Sequence, residues 1–493
     1  MAELLKTKEI HVFKRFGQNL AFDVNDMNLF EINQLTREIF QQINGKTPDE
    51  LTAILSDHFP PTDVLHVLSQ LMELNLVGYQ FPKPAAGTGN AEQEKKLPHH
   101  DGIKRLVLFV SQDCNLHCRY CYIQHAGHIH QKKYMSEEVA HAAVDLLFQE
   151  SHEATDLGIS FYGGEPMLRF DLIKKIIPYA NRKAVAFHKT VKYSMTTNGT
   201  LLTDEAVEFL TAHNVNVMVS LDGPQKVHDE NRVFVDGSGS FTRAFPAFIK
   251  LKEKDKNTRT LSVMRRFDSS MKDIAQSLLD LGSLNFSIHP ALSDSGELII
   301  PPNGSENEED EENGACSDSV DIYTRQYEEM VAYFLDNEMM FQEKPPIDFI
   351  WVFEKLKKRD KQKKNCGAAY TRFSVDADGN ILPCEHFIGE PAFYMGNVLT
   401  GLDRHQSNIK ELEITDITDS KTCRTCWSRN LCDAWCFFYS FKYCGDLKKP
   451  VETQCRIIKN YFEIAMGVYS LLKKRKKTMP AKPIQEEKNV QSS

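Results

Sequence analysis

The sequence predicts an α/β protein: a middle built from six β/α repeats, a small winged-helix-like module ahead of it, and a cysteine-rich region behind. Three observations carry this. β-type runs alternate with helical runs from residue 105 to residue 290, which is the pattern of a parallel sheet with helices outside. Such a sheet is either open and doubly wound or a partial barrel. A strand pair followed by short helices fills the first stretch of the chain. The twelve cysteines are unevenly spread, with none before Cys114 and eight from Cys366 to Cys455.

Composition sets the bounds. A chain of 493 residues is long enough for two or three domains with substantial cores. Hydrophobic residues at 41% and charged residues at 26% fit a soluble globular protein. The net charge of −9 argues against a nucleic-acid partner, which needs a basic face. No apolar run has the length to span a membrane. The opening "MAELLKTKEIHVFKRFGQ" lacks the apolar segment of a secretory signal, so the expected location is the cytoplasm. In that reducing compartment the cysteines are expected as thiols or metal ligands, and their clustering favours metal.

In chain order, residues 8–24 alternate apolar and polar positions around a glycine and read as a hairpin. "TPDELTAILSDHF" opens a helix with Thr47, Pro48 and Glu50 in the places of N-cap, first turn and capping-box partner. "PTDVLHVLSQLMELNLV" repeats apolar residues at 64, 65, 68, 71 and 72, a helical stripe. Together, residues 1–81 suggest the winged-helix-like module, the alternative being a plain extension of the core. Residues 82–102 form a linker by composition. The core spans 103–300, with strands expected at 105–110, 157–163, 191–197, 215–222, 259–264 and 284–290, and helices between them, for example at 136–150 and 203–213. Its ligands belong at the C-terminal ends of those strands. An acidic block at 305–319 reads as a solvated loop within a bridging region of 301–362. The cysteine-rich region covers 363–460, and a helix with the basic run "KKRKK" and a polar tail occupies 461–493.

The stretch "VSQDCNLHCRYCYI" places Cys114, Cys118 and Cys121 just after the first strand, in the spacing C-x3-C-x2-C. Thiolates select zinc, copper(I) or iron–sulfur clusters. Structural zinc wants four closed ligands, and no fourth cysteine or well-spaced histidine completes this set, His117 lying inside the loop. Three thiolates on a four-iron cluster would leave one iron free. "FYGGEP" (161–166), "TTNGT" (196–200) and "SLDGPQKVHDENR" (220–232) end the next three strands. Each alone is an ordinary turn, but in order and at successive strand ends they are specific. Further on, Cys423, Cys426, Cys432 and Cys436 read by themselves as a four-thiolate zinc site. That reading leaves Cys366, Cys384 and Cys455 unexplained.

On these motifs the sequence resembles the radical S-adenosylmethionine (SAM) enzymes, and its seven-cysteine C-terminal pattern resembles their SPASM extension. The resemblance runs from about residue 8 to residue 460. It implies a partial (β/α)6 barrel and a [4Fe–4S] cluster on Cys114, Cys118 and Cys121 that binds SAM. Tyr120 would sit near the adenine. Gly163, Gly164 and Glu165 would line the methionyl amine, and Ser220 and Arg232 the ribose and carboxylate region, with Asn198 and Asp222 completing the set. Cys423, Cys426, Cys432 and Cys455 would hold one auxiliary [4Fe–4S] cluster; Cys366, Cys384 and Cys436 would hold the other. Where relatives carry a further cysteine this chain has Arg372, so the second auxiliary cluster keeps an open iron unless Cys316 or Cys444 fills it. Glu385 stands where sulfatase-maturing relatives carry a base and is the candidate catalytic residue.

The N-terminal module resembles leader-peptide recognition domains, and the whole arrangement is most similar to the thioether-forming maturases of ranthipeptides. The implied activity is the joining of a cysteine sulfur to a carbon of a ribosomally made precursor peptide. The implied partners are that peptide, through its leader, and a flavodoxin- or ferredoxin-type electron donor. Carbon–carbon cross-linking, epimerisation and sulfatase-type oxidation of Cys or Ser are compatible with the same motifs. A zinc-stabilised peptide-binding adaptor is the alternative outside enzymes.

Overall fold

The computed structural model describes residues 4–79, 102–121, 132–255, 258–265, 270–291, 319–341, 345, 347, 349–361, 366–405, 407–415, 417, 419–432 and 435–478. The linker and the acidic block, with Cys316, fall outside these residues apart from positions 102 and 319. The chain divides into two compact units. One gathers residues 1–85, 349–361 and 460–493; the other holds 86–348 and 362–459.

In the first unit, β1 (Lys6–Thr7) pairs antiparallel with β5 (Val77–Gly78). β2 (Ile10–Arg15), β3 (Gln18–Asp23) and β4 (Asn28–Ile32) form a three-stranded antiparallel sheet with β3 in the middle. The turn between β2 and β3 is Phe16–Gly17, both with positive φ (48° and 72°), the backbone that matches the twist of a two-residue hairpin. Helices Gln34–Gln42, Pro48–Leu55 and Pro61–Glu73 bury Leu35, Ile39, Leu51, Leu55, Val64 and Leu68 in one core. The capping box at Thr47 is formed from both sides, Thr47 Oγ1 accepting from Glu50 N and Glu50 Oε2 from Thr47 N. Chain-distant segments complete this unit. Glu463 binds His11 at 2.8 Å and Arg15 at 2.7 Å, and the Trp351 indole donates to the Tyr461 hydroxyl at 3.1 Å.

In the second unit, β6 (Arg105–Ser111), β7 (Asp156–Gly163), β8 (Thr190–Thr197), β9 (Val215–Ser220), β10 (Arg259–Met264) and β11 (Phe286–Pro290) lie parallel in sequence order. All six match runs that the sequence marks as strands. Helices Glu137–Glu150, Phe170–Phe187, Asp204–Ala212, Phe241–Lys254 and Met271–Asp280 connect them. Ser136, Thr203 and Ser270 cap three of these helices by accepting from the third residue on. β6 is buried at six of its seven positions, as a strand covered on both faces must be. The sheet does not close among the described residues. Beyond β6 it is extended by β12 (Arg372–Val375), parallel to β6, and by β13 (Ile381–Leu382), antiparallel to β12. The cysteine-rich region thus joins the edge of the sheet opposite β11. No helix of the described residues is long and apolar enough to cross a membrane.

Candidate functional site

At the end of β6 the register with β7 shifts between Phe109 and Ser111, a bulge that re-aims the chain as it leaves the sheet. The Ser111 hydroxyl donates to Asp113 O at 3.0 Å and accepts from Asp113 N at 3.1 Å. The Asp113 carboxylate in turn accepts from Cys114 N at 3.0 Å and from the Tyr134 hydroxyl at 2.6 Å. Further along, His117 N donates to Val233 O at 2.7 Å, Arg119 N to Asn231 O at 2.9 Å, and the Asn115 amide to Thr200 Oγ1 at 2.8 Å. The cysteine loop is thereby tied to the ends of β8 and of the segment after β9. Burial raises the pKa of Cys114 strongly and pushes that of Cys118 up to about 12, nearby Arg232 opposing the rise at Cys118.

Gly163 and Gly164 lie against this loop. A Cβ on Gly163, whose φ is +129°, would overlap the Ser111 carbonyl, and one on Gly164 would overlap the Asp113 carbonyl. Gly164 N donates to Ser111 O at 3.0 Å and Glu165 N to Asp113 O at 2.9 Å. The missing side chains thus bring β7 onto the cysteine loop itself. Glu165 is fully buried and its carboxylate accepts from Thr197 Oγ1 (2.6 Å), Asn198 N (2.7 Å) and Met167 N (3.0 Å). Burial raises its pKa against those three donors. Its oxygens are engaged by the protein, where the sequence reading gave them to an ammonium group. Asn198 bridges onward, donating to Asn115 Oδ1 at 2.9 Å and accepting from Thr200 N at 2.9 Å.

A second buried network holds the residues after β9. The Asp222 carboxylate accepts from Tyr120 Oη at 2.7 Å, from Arg232 at 3.0 Å and from Val263 N at 3.0 Å. The Arg232 guanidinium lies 5.3 Å from the centre of the Tyr120 ring, within cation–π range. Behind them, His228 accepts from Asp222 N at 3.4 Å through Nδ1 and meets Ser240 Oγ at 2.9 Å through Nε2. Burial brings its pKa down to about 4, so the ring is neutral. Arg232 Nε is buried without a hydrogen-bond acceptor, which leaves that face of the guanidinium for a ligand.

These groups border one cavity of about 710 Å³, in the size range of small-molecule sites. Cys114, Cys118 and Cys121 line it, as do Tyr120, Gly163, Gly164, Asn198, Ser220 and Arg232. Asp222 and Glu165 stand behind the lining. A further part of the lining had no signal in the sequence: Phe438, Tyr439, Lys442 and Tyr443 from helix Phe437–Cys444, and Gln454, Ile457 and Ile458 from the start of helix Glu452–Thr478. His289, at the end of β11, also faces the cavity. The strand-end rule that picks out the earlier motifs applies equally to "LNFSIHP" and would have found it.

The remaining cysteines fall into two groups. Cys423, Cys426, Cys432 and Cys455 line one small cavity of about 30 Å³. Cys384 is buried and interacts electrostatically with Cys436 and Cys366, and burial raises both Cys384 and Cys436, the latter to about 11. Cys444 ends helix Phe437–Cys444. Glu385 forms an ion pair with Arg372, and both line a separate cavity of about 250 Å³ with Ser160 and Ser194. Its carboxylate is therefore committed to a guanidinium outside the lining of the large cavity. Among the described residues no three His, Cys, Asp or Glu side chains group as ligands of a single metal ion. The donor set of three thiols at a strand end, on a cavity with no carboxylate in its lining among the described residues, fits an iron–sulfur cluster and an organic ligand beside it.

Residues 108–278 match the family model of the Radical SAM superfamily. Over 483 residues, 93% of this chain and 94% of the relative, the sequence is 24% identical to the radical SAM cyclopropyl synthase TigE of Paramaledivibacter caminithermalis. It is 24% identical over 394 residues to the serine-type anaerobic sulfatase-maturating enzyme of Bacteroides thetaiotaomicron, covering 75% of this chain and 91% of that one. In fold it is similar to native anSMEcpe with bound AdoMet and Cp18Cys peptide, with a TM-score of 0.59 and 18% identity over 76% of this chain and 99% of that chain.

Proposed function

We propose, from the premise that this chain is an enzyme of the radical SAM superfamily, that it installs thioether cross-links in a ribosomally made precursor peptide, joining a cysteine sulfur to a carbon of an acceptor residue. The observation that carries this reading is the joint lining of the large cavity. Cys114, Cys118 and Cys121 border it together with the segments that directly follow Cys436 and flank Cys455. A peptide segment held there lies between one thiol group and the elements that bear two more.

On this reading Cys114, Cys118 and Cys121 hold the cluster that binds SAM. Cys423, Cys426, Cys432 and Cys455 hold one auxiliary cluster, and Cys366, Cys384 and Cys436 the other. When bound, these groups supply a 5′-deoxyadenosyl radical and a sink for the second electron, fed by a flavodoxin- or ferredoxin-type donor. The chain's own residues orient and enclose. Asp222 fixes Tyr120 and Arg232 by direct hydrogen bonds, so that the ring and the guanidinium present set faces to the cofactor. Gly163 and Gly164 hold β7 against the cysteine loop, keeping the cofactor side of the cavity rigid. Phe438, Tyr439, Ile457 and Ile458 exclude water from the reacting segment. Residues 1–81 take the leader by strand addition to β2 or β4, the two edges of their sheet.

A second reading, carbon–carbon bond formation within the peptide, is favoured by the likeness to TigE along nearly the whole chain. One experiment separates the two. The chain is produced anaerobically with any small cysteine-containing peptide encoded beside it, and the peptide is weighed before and after alkylation. Loss of two hydrogens per link, with the cysteine resistant to alkylation, is the expected result. The same loss with every thiol still alkylatable would reject the thioether and favour the carbon–carbon link.

A further inference from the structure

The large cavity raises a question that its cysteines do not answer: which group receives the proton that the substrate gives up. Linking a thiol to a carbon removes a hydrogen atom, an electron and a proton from the peptide, and the proton needs an acceptor near the reacting sulfur. Among the described residues of the lining there is no Asp or Glu. Glu165 and Asp222 stand behind the lining, and each already accepts from three protein donors. Glu385, the acceptor suggested by resemblance, is paired with Arg372 in another cavity.

The other titratable groups of the lining are unsuited. Arg232 and Lys442 are cations and have no lone pair to offer. Tyr120, Tyr162, Tyr439 and Tyr443 are phenols, and a phenol near neutral pH holds its own proton. Cys114, Cys118 and Cys121 are committed as ligands on the proposed reading. His289 remains. Strand β11 delivers it to the cavity beside Pro290 and Ala291, where its side chain is exposed. Among the described residues no protein group hydrogen-bonds the ring. Desolvation by the surrounding lining lowers its pKa from the ordinary imidazole value, which favours the neutral form able to accept.

We propose that His289 is the general base of this cavity, taking the proton from the substrate thiol as the new bond forms. The S–H bond breaks, its electron pair stays on sulfur, and the proton bonds to the free ring nitrogen. The imidazolium then returns the proton to solvent at the mouth of the cavity. The assignment rests on the reading of the large cavity as the place where the peptide reacts.

The test uses the full-length, anaerobically reconstituted enzyme with SAM, dithionite and, as probe, a synthetic form of any small cysteine-containing peptide encoded beside the chain that the wild type modifies. His289→Gln keeps the size and polarity of the side chain but cannot take up a proton. It is expected to slow product formation on the order of a hundredfold or more, the usual effect of removing a general base. Peptide affinity and peptide-free SAM cleavage should stay within about twofold of wild type, since neither step involves this proton. Added imidazole should restore part of the rate to His289→Gly. In the wild type the rate should rise with pH through the titration of the ring and then level off, and His289→Gln should lack that limb. A His289→Gln rate within about threefold of wild type, with the same pH profile, would overturn the proposal. If the variant is poorly folded, His289→Asn is read in the same way, and a rate within about threefold of wild type in that variant would overturn the proposal equally. The comparison is made on whatever product the wild type forms. A product with free thiols would thus reject thioether formation, while the ratio of the two rates still decides the role of His289.

Discussion

At position 164 one methyl group separates a working cysteine loop from a displaced one. The sequence marks "FYGGEP" as a place where backbone must come close to something, and the structure shows that the loop itself is what it meets. Gly164 packs under the Asp113 carbonyl and Cys114 Cβ, and its φ is not in the left-handed region, so alanine is barred there by space alone. Gly164→Ala should therefore push Cys114 out of line, costing about 1–3 kcal/mol through overpacking. Iron bound per chain after reconstitution should fall together with the thermal midpoint. Normal iron content would show that the loop moves aside freely. Glu165 marks the limit of reading residues one at a time. A carboxylate in a glycine motif suggests a charge partner in the ligand, yet its oxygens are used by Thr197, Asn198 and Met167, one on β8 and one just beyond it. Only the packing of neighbouring strand ends reveals those donors.

At the scale of elements, legibility followed periodicity and local capping. The six parallel strands were readable because β6 is a buried apolar run and the other five bury alternate positions over ordinary strand lengths. The helix Pro48–Leu55 was readable from its first four residues. Thr47→Ala removes the acceptor for Glu50 N, and about 1 kcal/mol of local stability should go with it. Hydrogen exchange over residues 48–55 should quicken several-fold, with exchange in β6 to β11 unchanged; uniform exchange across both regions would mean that the cap does not act locally. Helix Gln34–Gln42 escaped notice because its stripe is only Leu35, Ile39 and Phe40, too short to stand out against loop. β12 was missed for a different reason. Its four residues carry a plain strand pattern, but their partner is β6, 267 residues earlier, and local pattern holds no record of so distant a pairing.

For the whole molecule, the same distinction decides which parts of the candidate site the sequence could show. Spacing exposes groups that cooperate within one loop, such as Cys114, Cys118 and Cys121. It is silent about the wall from Phe438 to Ile458, which meets the strand ends only through the path of the chain. It is silent too about the acid limit of the fold, which depends on a histidine sealed behind the site. His228 is fully buried, its ring holding Asp222 N on one side and Ser240 on the other, with Ser240 Oγ donating to Arg232 O at 2.7 Å. Its pKa is about 4 in the folded chain against 6.5 as the ordinary value. Between those limits the unfolded chain binds a proton that the folded chain refuses. The stability tied to the neutral ring is thus fully present above pH 6.5 and is lost as pH falls towards 4, where the loss levels off at about 3 kcal/mol. His228→Gln keeps an uncharged hydrogen-bonding side chain and removes the titration. Its unfolding free energy should be lower than wild type near neutrality, with the gap narrowing by about 3 kcal/mol as both are taken down to pH 4. Denaturant titrations of the two chains across that range measure the gap directly. Parallel curves for wild type and variant would mean that the ring is protonated in the folded chain, and that the Asp222–Arg232 network tolerates a second cation beside it.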